Sequence, residues 1–434
     1  MRRTRRVPTA IAAGALAGSL LLTACSGGGS GEGDGDSLTV WFPGNSEAEM
    51  ALVNDTIVPA FEEESGIDVA VTYVDWADLG PKLNAAFAAG TAPDVIGHGL
   101  AATADLVANG RVLDLSAYVD EMDPEAVEDM SSSLPGGEVD GAPYMVPLLM
   151  TARMIAYSGT DFEDAGLDPE APPETWGEVR DVAEQLTERD GADISRAGLV
   201  VPSDPIGVQQ SFGTFLWSNG GEFLNEDNTA ATMNTPEGVE ALEFYASLYQ
   251  GETAVDNTLG VQLPGQPAEA PVVTGAAAMQ LVSAGDIVNL QESGPDRDLR
   301  LMMPPAFEGN EPGAFGGPGN GLMINADSDV PDLAWDFISM MIEPETNLEY
   351  VQSLGALPVH ASSIDSEYIS ASPDLERAVE ALASTHSNPN VQGWTQMRDA
   401  MGQHLERALH GEVDPAEALE QANGEVEQVL ASAS

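Results

Sequence analysis

Residues that could take part in catalysis are plentiful in this chain, but the patterns that usually organise them are missing. Its 71 aspartates and glutamates are enough to supply the two carboxylates, about 5–10 Å apart, that glycoside hydrolysis uses. However, the sequence contains no G-x-S-x-G elbow, no H-E-x-x-H helix and no phosphate-binding glycine loop. His404 and His410 are six residues apart, which does not put them on one helical face. A secreted hydrolase is therefore the weaker alternative, and we predict a protein that is not an enzyme and needs no cofactor or metal.

The single cysteine has an N-terminal context that explains it. Four arginines within the first six residues precede the apolar run 10–22, which is too short to span ~30 Å of hydrocarbon as a helix. The run ends in Leu22-Thr23-Ala24-Cys25, which resembles the bacterial lipobox. We predict a lipoprotein signal peptide over 1–24, lipidation at Cys25 and anchoring to the extracellular face of the cell membrane. An ordinary signal peptide is the alternative, and the arginine pairs leave Sec and twin-arginine export both open.

Size and composition predict how the rest of the chain is divided. Residues 25–37 are almost all Gly, Ser, Glu and Asp, which indicates a flexible tether. The mature chain of about 400 residues exceeds the ~250–300 residues that one hydrophobic core usually reaches, so two lobes are expected. Because lipid would occupy the only cysteine, the lobes must be stable without disulfides.

Charge excludes one class of partner. All 71 acidic residues and only eleven of the 15 basic residues follow Cys25, so the mature chain carries 60 net negative charges. Without a basic patch, nucleic-acid binding is excluded. Charge repulsion of this size destabilises a compact state unless salt screens it, which suggests adaptation to a saline habitat. A merely soluble acidic surface explains the composition equally well.

Hydrophobic periodicity places these residues on alternating strands and helices. Residues 38–42 and 67–73 alternate as strands, and between them helical spacing continues up to Gly66. A second predicted helix over 77–89 is followed by a strand that starts at 95. The order β-α-β-α-β indicates a parallel, doubly wound sheet. Further helices open with Thr175 and Glu178 as a capping box and with Thr235-Pro236-Glu237.

Eight short motifs, in order along the chain, resemble one family. They are LTVW at 38–41, FEEESGIDV at 61–69, GTAPDV at 90–95, AGL with PETW at 165–176, WSNGG at 217–221, GAAAM at 275–279, AWDF at 334–337 and GALPV at 355–359. This series is similar to the extracellular sugar-binding proteins of ABC importers, the group that includes the maltodextrin-binding proteins. Each motif alone is weak; together, behind a lipobox, they are specific.

The resemblance implies an α/β fold of the two-lobed periplasmic-binding-protein type (type II, maltodextrin-binding-like) with three hinge crossings. By position, the crossings are expected near Leu149–Met150, Phe315–Pro318 and Ile342–Pro344. Lobe 1 would then comprise 38–149 plus 318–343, and lobe 2 would comprise 150–317 plus 344–434. The ligand is expected in the cleft, with the lobes closing around it by hinge bending.

Candidate ligand contacts in lobe 1 follow its predicted strands. The loop at 43–47 offers Asn45 and Glu47, although Asn45 or Ser46 can instead cap the next helix. His98 lies where many relatives carry a ligand residue, and a satisfied turn histidine is the alternative.

Candidate contacts in lobe 2 also come from the resemblance. The site residues implied there are Arg153, Gln210, Phe212, Asp286, Gly317 and Trp394. A sugar receptor needs aromatic rings for stacking and polar groups for hydrogen bonding. Trp394, which lies near where relatives place a stacking ring, is the leading aromatic candidate. The chain departs from the family at Leu148 and Thr151, and it has Gly285 where maltodextrin binders carry a tryptophan. A long stacked glucan is therefore not expected.

The predicted function is capture of a sugar or oligosaccharide for an ABC importer, by a monomer that contacts separate permease subunits. The same fold binding a polyol or glycerol phosphate is the alternative, but Arg153 is the only basic residue placed in the cleft, which favours a neutral ligand. The sequence leaves open which sugar is bound, its length and its linkage.

Overall fold

The computed structural model describes residues 37–433, and its strands begin with the alternation noted above. The strands are β1 (Ser37–Pro43), β2 (Asp68–Val74), β3 (Val95–Gly99), β4 (Glu138–Val139), β5 (Ala142–Pro143), β6 (Val146–Pro147), β7 (Met150–Ser158), β8 (Glu188–Asp190), β9 (Asp193–Val200), β10 (Ala277–Ser283), β11 (Leu299–Met302), β12 (Ala314–Pro318), β13 (Asn320–Ile324) and β14 (Thr385–His386). The signal peptide, Cys25 and most of the tether predicted from sequence lie outside the described residues.

Among the helices between them are those that begin directly after the predicted capping residues Ser46, Thr175 and Thr235. The helices are α1 (Glu47–Leu52), α2 (Val58–Ser65), α3 (Trp76–Ala89), α4 (Thr103–Ala108), α5 (Ser116–Glu121), α6 (Pro124–Asp129), α7 (Gly159–Asp164), α8 (Trp176–Leu186), α9 (Gly207–Ser218), α10 (Pro236–Ser247), α11 (Pro271–Thr274), α12 (Ile287–Ser293), α13 (Pro331–Met341), α14 (Pro344–Leu354), α15 (Glu367–Ser370), α16 (Pro373–Ala381), α17 (Trp394–Leu409) and α18 (Pro415–Ala433). Thr175 and Glu178 form the expected capping box of α8. Within the described residues, no helix combines the length and the hydropathy that a membrane span requires.

The first sheet has the predicted β-α-β beginning. Its strand order is β2-β1-β3-β13-β6. Strand β1 runs parallel to β2 and β3, while β13 joins β3 and β6 in antiparallel pairing. Between β1 and β2 the helix is continuous through a π turn at Val53–Ile57, and it ends at Gly66 in the left-handed conformation, φ 74°.

The second sheet is mixed and has helices on both faces. Its order is β14-β12-β7-β10-β9-β8, with β11 also pairing with β7. Side chains alternate along β7, so Met154 and Ala156 join one hydrophobic core while Ile155 and Tyr157 join the other. The first of these cores continues from the first sheet, and the second lies under α8, α9, α10, α17 and α18. The fold is the expected two-lobed α/β arrangement.

Two of the chain crossings between the lobes lie side by side. Only Leu148 and Leu149 separate β6 from β7, and only Gly319 separates β12 from β13. Gly319 N donates to Leu149 O at 2.9 Å, and Leu148 N donates to Asn320 O at 3.0 Å. A Cβ on Gly319 would lie 2.4 Å from Leu149 Cδ1, so glycine permits this close approach. The second crossing thus lies one residue beyond the predicted Phe315–Pro318.

The third crossing lies later than the sequence suggested. Helix α14 packs against α1 in lobe 1, where the Tyr350 hydroxyl donates to Glu49 Oε1 at 2.6 Å. The chain then passes the first crossing at Leu357, which exchanges two backbone hydrogen bonds with Met150 at 2.8 and 3.0 Å. The boundary expected at Ile342–Pro344 is therefore corrected to the vicinity of Leu357. Pro344 begins a helix that stays with lobe 1 instead of leaving it.

Candidate ligand-binding site

The carboxyl ends of the parallel strands in lobe 1 bring an exposed tryptophan to the sheet edge. Trp76 follows β2, is 43% exposed and begins α3 behind its N-cap Asp75. At the end of β1, Gly44 has φ 98° and donates its N–H to Val74 O at 2.7 Å. A Cβ on Gly44 would lie 3.3 Å from Trp76 Nε1. This edge is where open α/β sheets bind ligands.

The loop after β1 contains the residue that caps the next helix. Ser46 is the N-cap of α1, and its hydroxyl accepts from Glu49 N at 3.3 Å. Asn45 is exposed and donates its amide N–H to Asp75 Oδ2 at 3.1 Å, next to Trp76. Glu47 is exposed on the first turn of α1. Asn45 thus bonds to the residue that precedes Trp76 and is not used as a cap.

His98 lies at the end of β3, against the same ring. Its imidazole packs edge-on to Trp76, with ring centroids 6.3 Å apart and planes at 83°. Burial lowers the pKa of His98 to about 4, and Arg398 of α17 acts in the same direction. His98 is therefore neutral near pH 7. The influence of Arg398, a lobe 2 residue, indicates that the lobes approach each other here.

Three residues predicted in lobe 2 come together. Arg153 of β7 donates from Nη2 to Gln210 Oε1 at 3.0 Å. Burial lowers the pKa of the Arg153 guanidinium, while Asp204 and Asp286 favour its charged form. Burial raises the pKa of Asp286 to about 6, against the opposing effects of Asn289 and Arg153. Lobe 2 therefore contains an arginine that bonds to an amide and whose charge is favoured by two carboxylates.

Gly317 and the two predicted rings are not on an open surface. Gly317, φ 91°, is buried, and a Cβ there would lie 2.6 Å from Ser387 Oγ. Phe212 and Trp394 are both 0% exposed, and each packs its ring against Phe223, at 5.9 and 5.5 Å between centroids. The prediction that Phe212 and Trp394 present rings to a ligand is corrected, because both side chains face the inner side of their helices.

Trp76 is the residue that the sequence reasoning missed. The signal was available, because Val74-Asp75-Trp76 follows an alternating strand directly and Asp75 is a good helix cap. Within residues 37–433, no group of three or more His, Cys, Asp and Glu side chains is arranged to hold a metal ion. The groups around the ring are amides, carboxylates and a neutral imidazole, which suit hydrogen bonding to a polar ligand.

Several known proteins are similar to this chain. A binding protein of Brucella abortus (strain 2308) is 25% identical over 384 residues, spanning 87% of this chain and 89% of its own. The sn-glycerol-3-phosphate-binding periplasmic protein UgpB of the same organism is 24% identical over 423 residues, spanning 88% and 90%.

Solved structures share the two-lobed fold. An ABC transporter solute-binding protein from Thermotoga lettingae, bound with alpha-D-tagatose, superposes with a TM-score of 0.80 at 22% identity, covering 91% of this chain and 100% of that one. The cyclic alpha-maltosyl-1,6-maltose binding protein from Arthrobacter globiformis gives 0.73 at 27% identity, covering 92% and 99%. The family model described as bacterial extracellular solute-binding protein matches residues 44–348. This chain belongs to the bacterial extracellular solute-binding protein family.

Proposed function

We propose that this protein captures a neutral sugar or oligosaccharide outside the cell and delivers it to an ABC importer. The observation that carries the proposal is the exposed Trp76 ring beside Asn45 and Asp75. A ring flanked by amide and carboxylate groups matches a sugar, which offers an apolar C–H face and a rim of hydroxyls. The similarity to the proteins named for tagatose and for a cyclic maltosyl-maltose supports this ligand class.

The charges argue for a neutral ligand over a phosphate ester. Arg153 already has Asp204 and Asp286 as neighbouring carboxylates, and Arg398 pairs with Asp399 at 2.8 Å. A phosphate would have to compete with these carboxylates for both guanidinium groups. Glycerol phosphate remains the second candidate because of the similarity to UgpB.

The anchor and the partners belong to the same proposal. Cys25 would carry the lipid, and the permease subunits of the importer would receive the ligand from a monomer. Metabolic labelling with a fatty acid tests the anchor: the wild-type chain should be labelled and retained at the membrane, whereas a Cys25→Ser variant should be released. A wild-type chain without label would overturn the anchoring proposal.

Calorimetry of the mature chain with a panel of saccharides tests the ligand. The panel should include tagatose, maltose, mannotriose, a cyclic glucan, ribitol and sn-glycerol 3-phosphate. Net hydrogen bonds of ~0.5–1.5 kcal/mol each, less the cost of closure, predict binding at about −7 to −8 kcal/mol, a few micromolar. Saturable binding of a sugar without its consumption supports the proposal. Binding of the phosphate ester alone, or turnover of a sugar, would refute it.

A further inference from the structure

One polar side chain of lobe 2 reaches across to lobe 1. Asn390 lies between β14 and α17, in a stretch anchored to lobe 2 by Val391, which packs against the second core. Its Oδ1 accepts from Ala104 N at 3.1 Å, and its Nδ2 donates to Glu138 O at 2.9 Å. Ala104 and Glu138 both belong to lobe 1. One amide side chain therefore uses its donor and its acceptor on the opposite lobe.

A second contact runs in the reverse direction. Asp105 of α4, in lobe 1, accepts from the N–H of Gly393 at 2.6 Å, and Gly393 is the residue from which α17 of lobe 2 starts. The first N–H groups of a helix have no partner within the helix. Neither α4 nor α17 has a side-chain cap of its own. Each lobe thus satisfies a backbone N–H at the start of a helix in the other.

These contacts lie near His98 of the candidate site. Helix α4 follows β3, which carries His98, and α17 carries Arg398, whose charge lowers the pKa of His98. Ala101, between His98 and α4, packs against the core of lobe 2. Opening the lobes at this edge would expose Ala101 and leave the Ala104 and Gly393 N–H groups to water.

We infer that Asn390 and Asp105 form a latch between the lobes, which stabilises the closed state and so raises ligand affinity without touching the ligand. The observed dissociation constant is the intrinsic constant divided by the fraction of protein that is competent to bind. Loss of both Asn390 hydrogen bonds should lower that fraction about tenfold. The effect on affinity rests on the proposed function, whereas the contact between the lobes does not.

Hydrogen–deuterium exchange of the ligand-free mature chain tests the contact itself. The variants are Asn390→Ala, Asp105→Ala and, as matched control, Asp105→Asn, which keeps an oxygen acceptor for Gly393. The alanine variants should accelerate exchange in both 101–108 and 388–396, and leave 37–74 in the first sheet unchanged. Unchanged exchange in the segment across from the mutation would overturn the latch, and faster exchange throughout would show general destabilisation instead.

Calorimetry with every saccharide that the wild type binds tests the expected loss of ligand affinity. Asn390→Ala should lower the affinity for each of these saccharides by the same factor, about tenfold, because the latch acts on closure of the lobes. Asp105→Asn should stay close to the wild type. A loss that differs between sugars would make Asn390 a direct contact and overturn the inference. If no saccharide binds the wild type, the proposed function fails, and the exchange experiment alone decides whether the latch exists.

Discussion

The two lobes contribute to the proposed site in different ways. Lobe 1 presents an exposed ring, Trp76, at the ends of three parallel strands. Lobe 2 presents Arg153, which bonds to Gln210 and lies near Asp286. The first face offers apolar area that is still hydrated, and the second offers polar groups whose partners are already in place. We infer that lobe 1 gains affinity by burying area and lobe 2 by keeping its hydrogen-bonding groups preorganised.

The contrast between two tryptophans sharpens this comparison. Trp76 and Trp394 both stand at the first residue of a helix, but one is 43% exposed and the other 0%. Trp394→Ala should lower the free energy of unfolding by about 3–5 kcal/mol, because it leaves a cavity in the core of lobe 2. Urea denaturation measures this. A loss of sugar affinity with unfolding unchanged would mean that Trp394 contacts the ligand after all.

A buried carboxyl in lobe 1 gives a second test. Glu49 of α1 is buried, and burial raises its pKa from 4.5 to about 7, although the Tyr350 hydroxyl opposes the rise. The folded state then holds this proton more tightly than the unfolded chain, so Glu49 makes stability fall as pH rises from about 4.5 to 7. The loss attributable to Glu49 should be about 3 kcal/mol.

Glu49→Gln should remove that part of the pH dependence, since glutamine resembles the protonated carboxyl. Unfolding free energies of the wild type and the variant, measured at pH 5 and pH 8, give the difference. Exposed Glu47 supplies the control, because Glu47→Gln should change little. Equal pH dependence in wild type and Glu49→Gln would show that Glu49 ionises freely in the folded protein.

Substitution of Arg153 tests whether the polar groups of lobe 2 contribute to sugar affinity. Arg153→Gln keeps a hydrogen-bonding side chain but removes the charge, and should weaken sugar binding about 10- to 100-fold, the range expected for a hydrogen bond to a charged group. Arg300→Gln is the matched control, because Arg300 pairs with Glu170 and Asp298 near the surface of lobe 2. Calorimetry that shows the same affinity for both variants would remove Arg153 from the site.

Sequence alone predicted the local structure better than it predicted which elements pack together. The alternation at 38–42 and the cap at Thr175 gave β1 and α8, because strand and helix signals lie within a few residues. The third crossing was wrong because Pro344 shows where α14 starts, but not that Tyr350 would pack on lobe 1. That information resides in contacts about 300 residues apart along the chain.

For the candidate site too, the sequence indicated individual residues but not how they pack together. Arg153, Gln210 and Asp286 were each predicted by position in the family, but nothing local indicates that Arg153 and Gln210 bond across 57 residues. Phe212 and Trp394 were misread because an aromatic residue of a helix looks alike in sequence whether it faces the core or the cleft. Exposure, which separates Trp76 from Trp394, is a property of the packed lobe.

Trp76 provides the smallest of these effects and the sharpest comparison of the two faces. Trp76→Ala should weaken binding about tenfold through lost area and stacking. It should lower the free energy of unfolding less than Trp394→Ala does, because 43% of Trp76 is already exposed. Trp76→Phe should recover most of the affinity, since a smaller ring still covers the C–H face. Equal affinities for alanine and tryptophan would mean that the ligand is held by lobe 2 alone, and that the exposed ring of lobe 1 has another purpose.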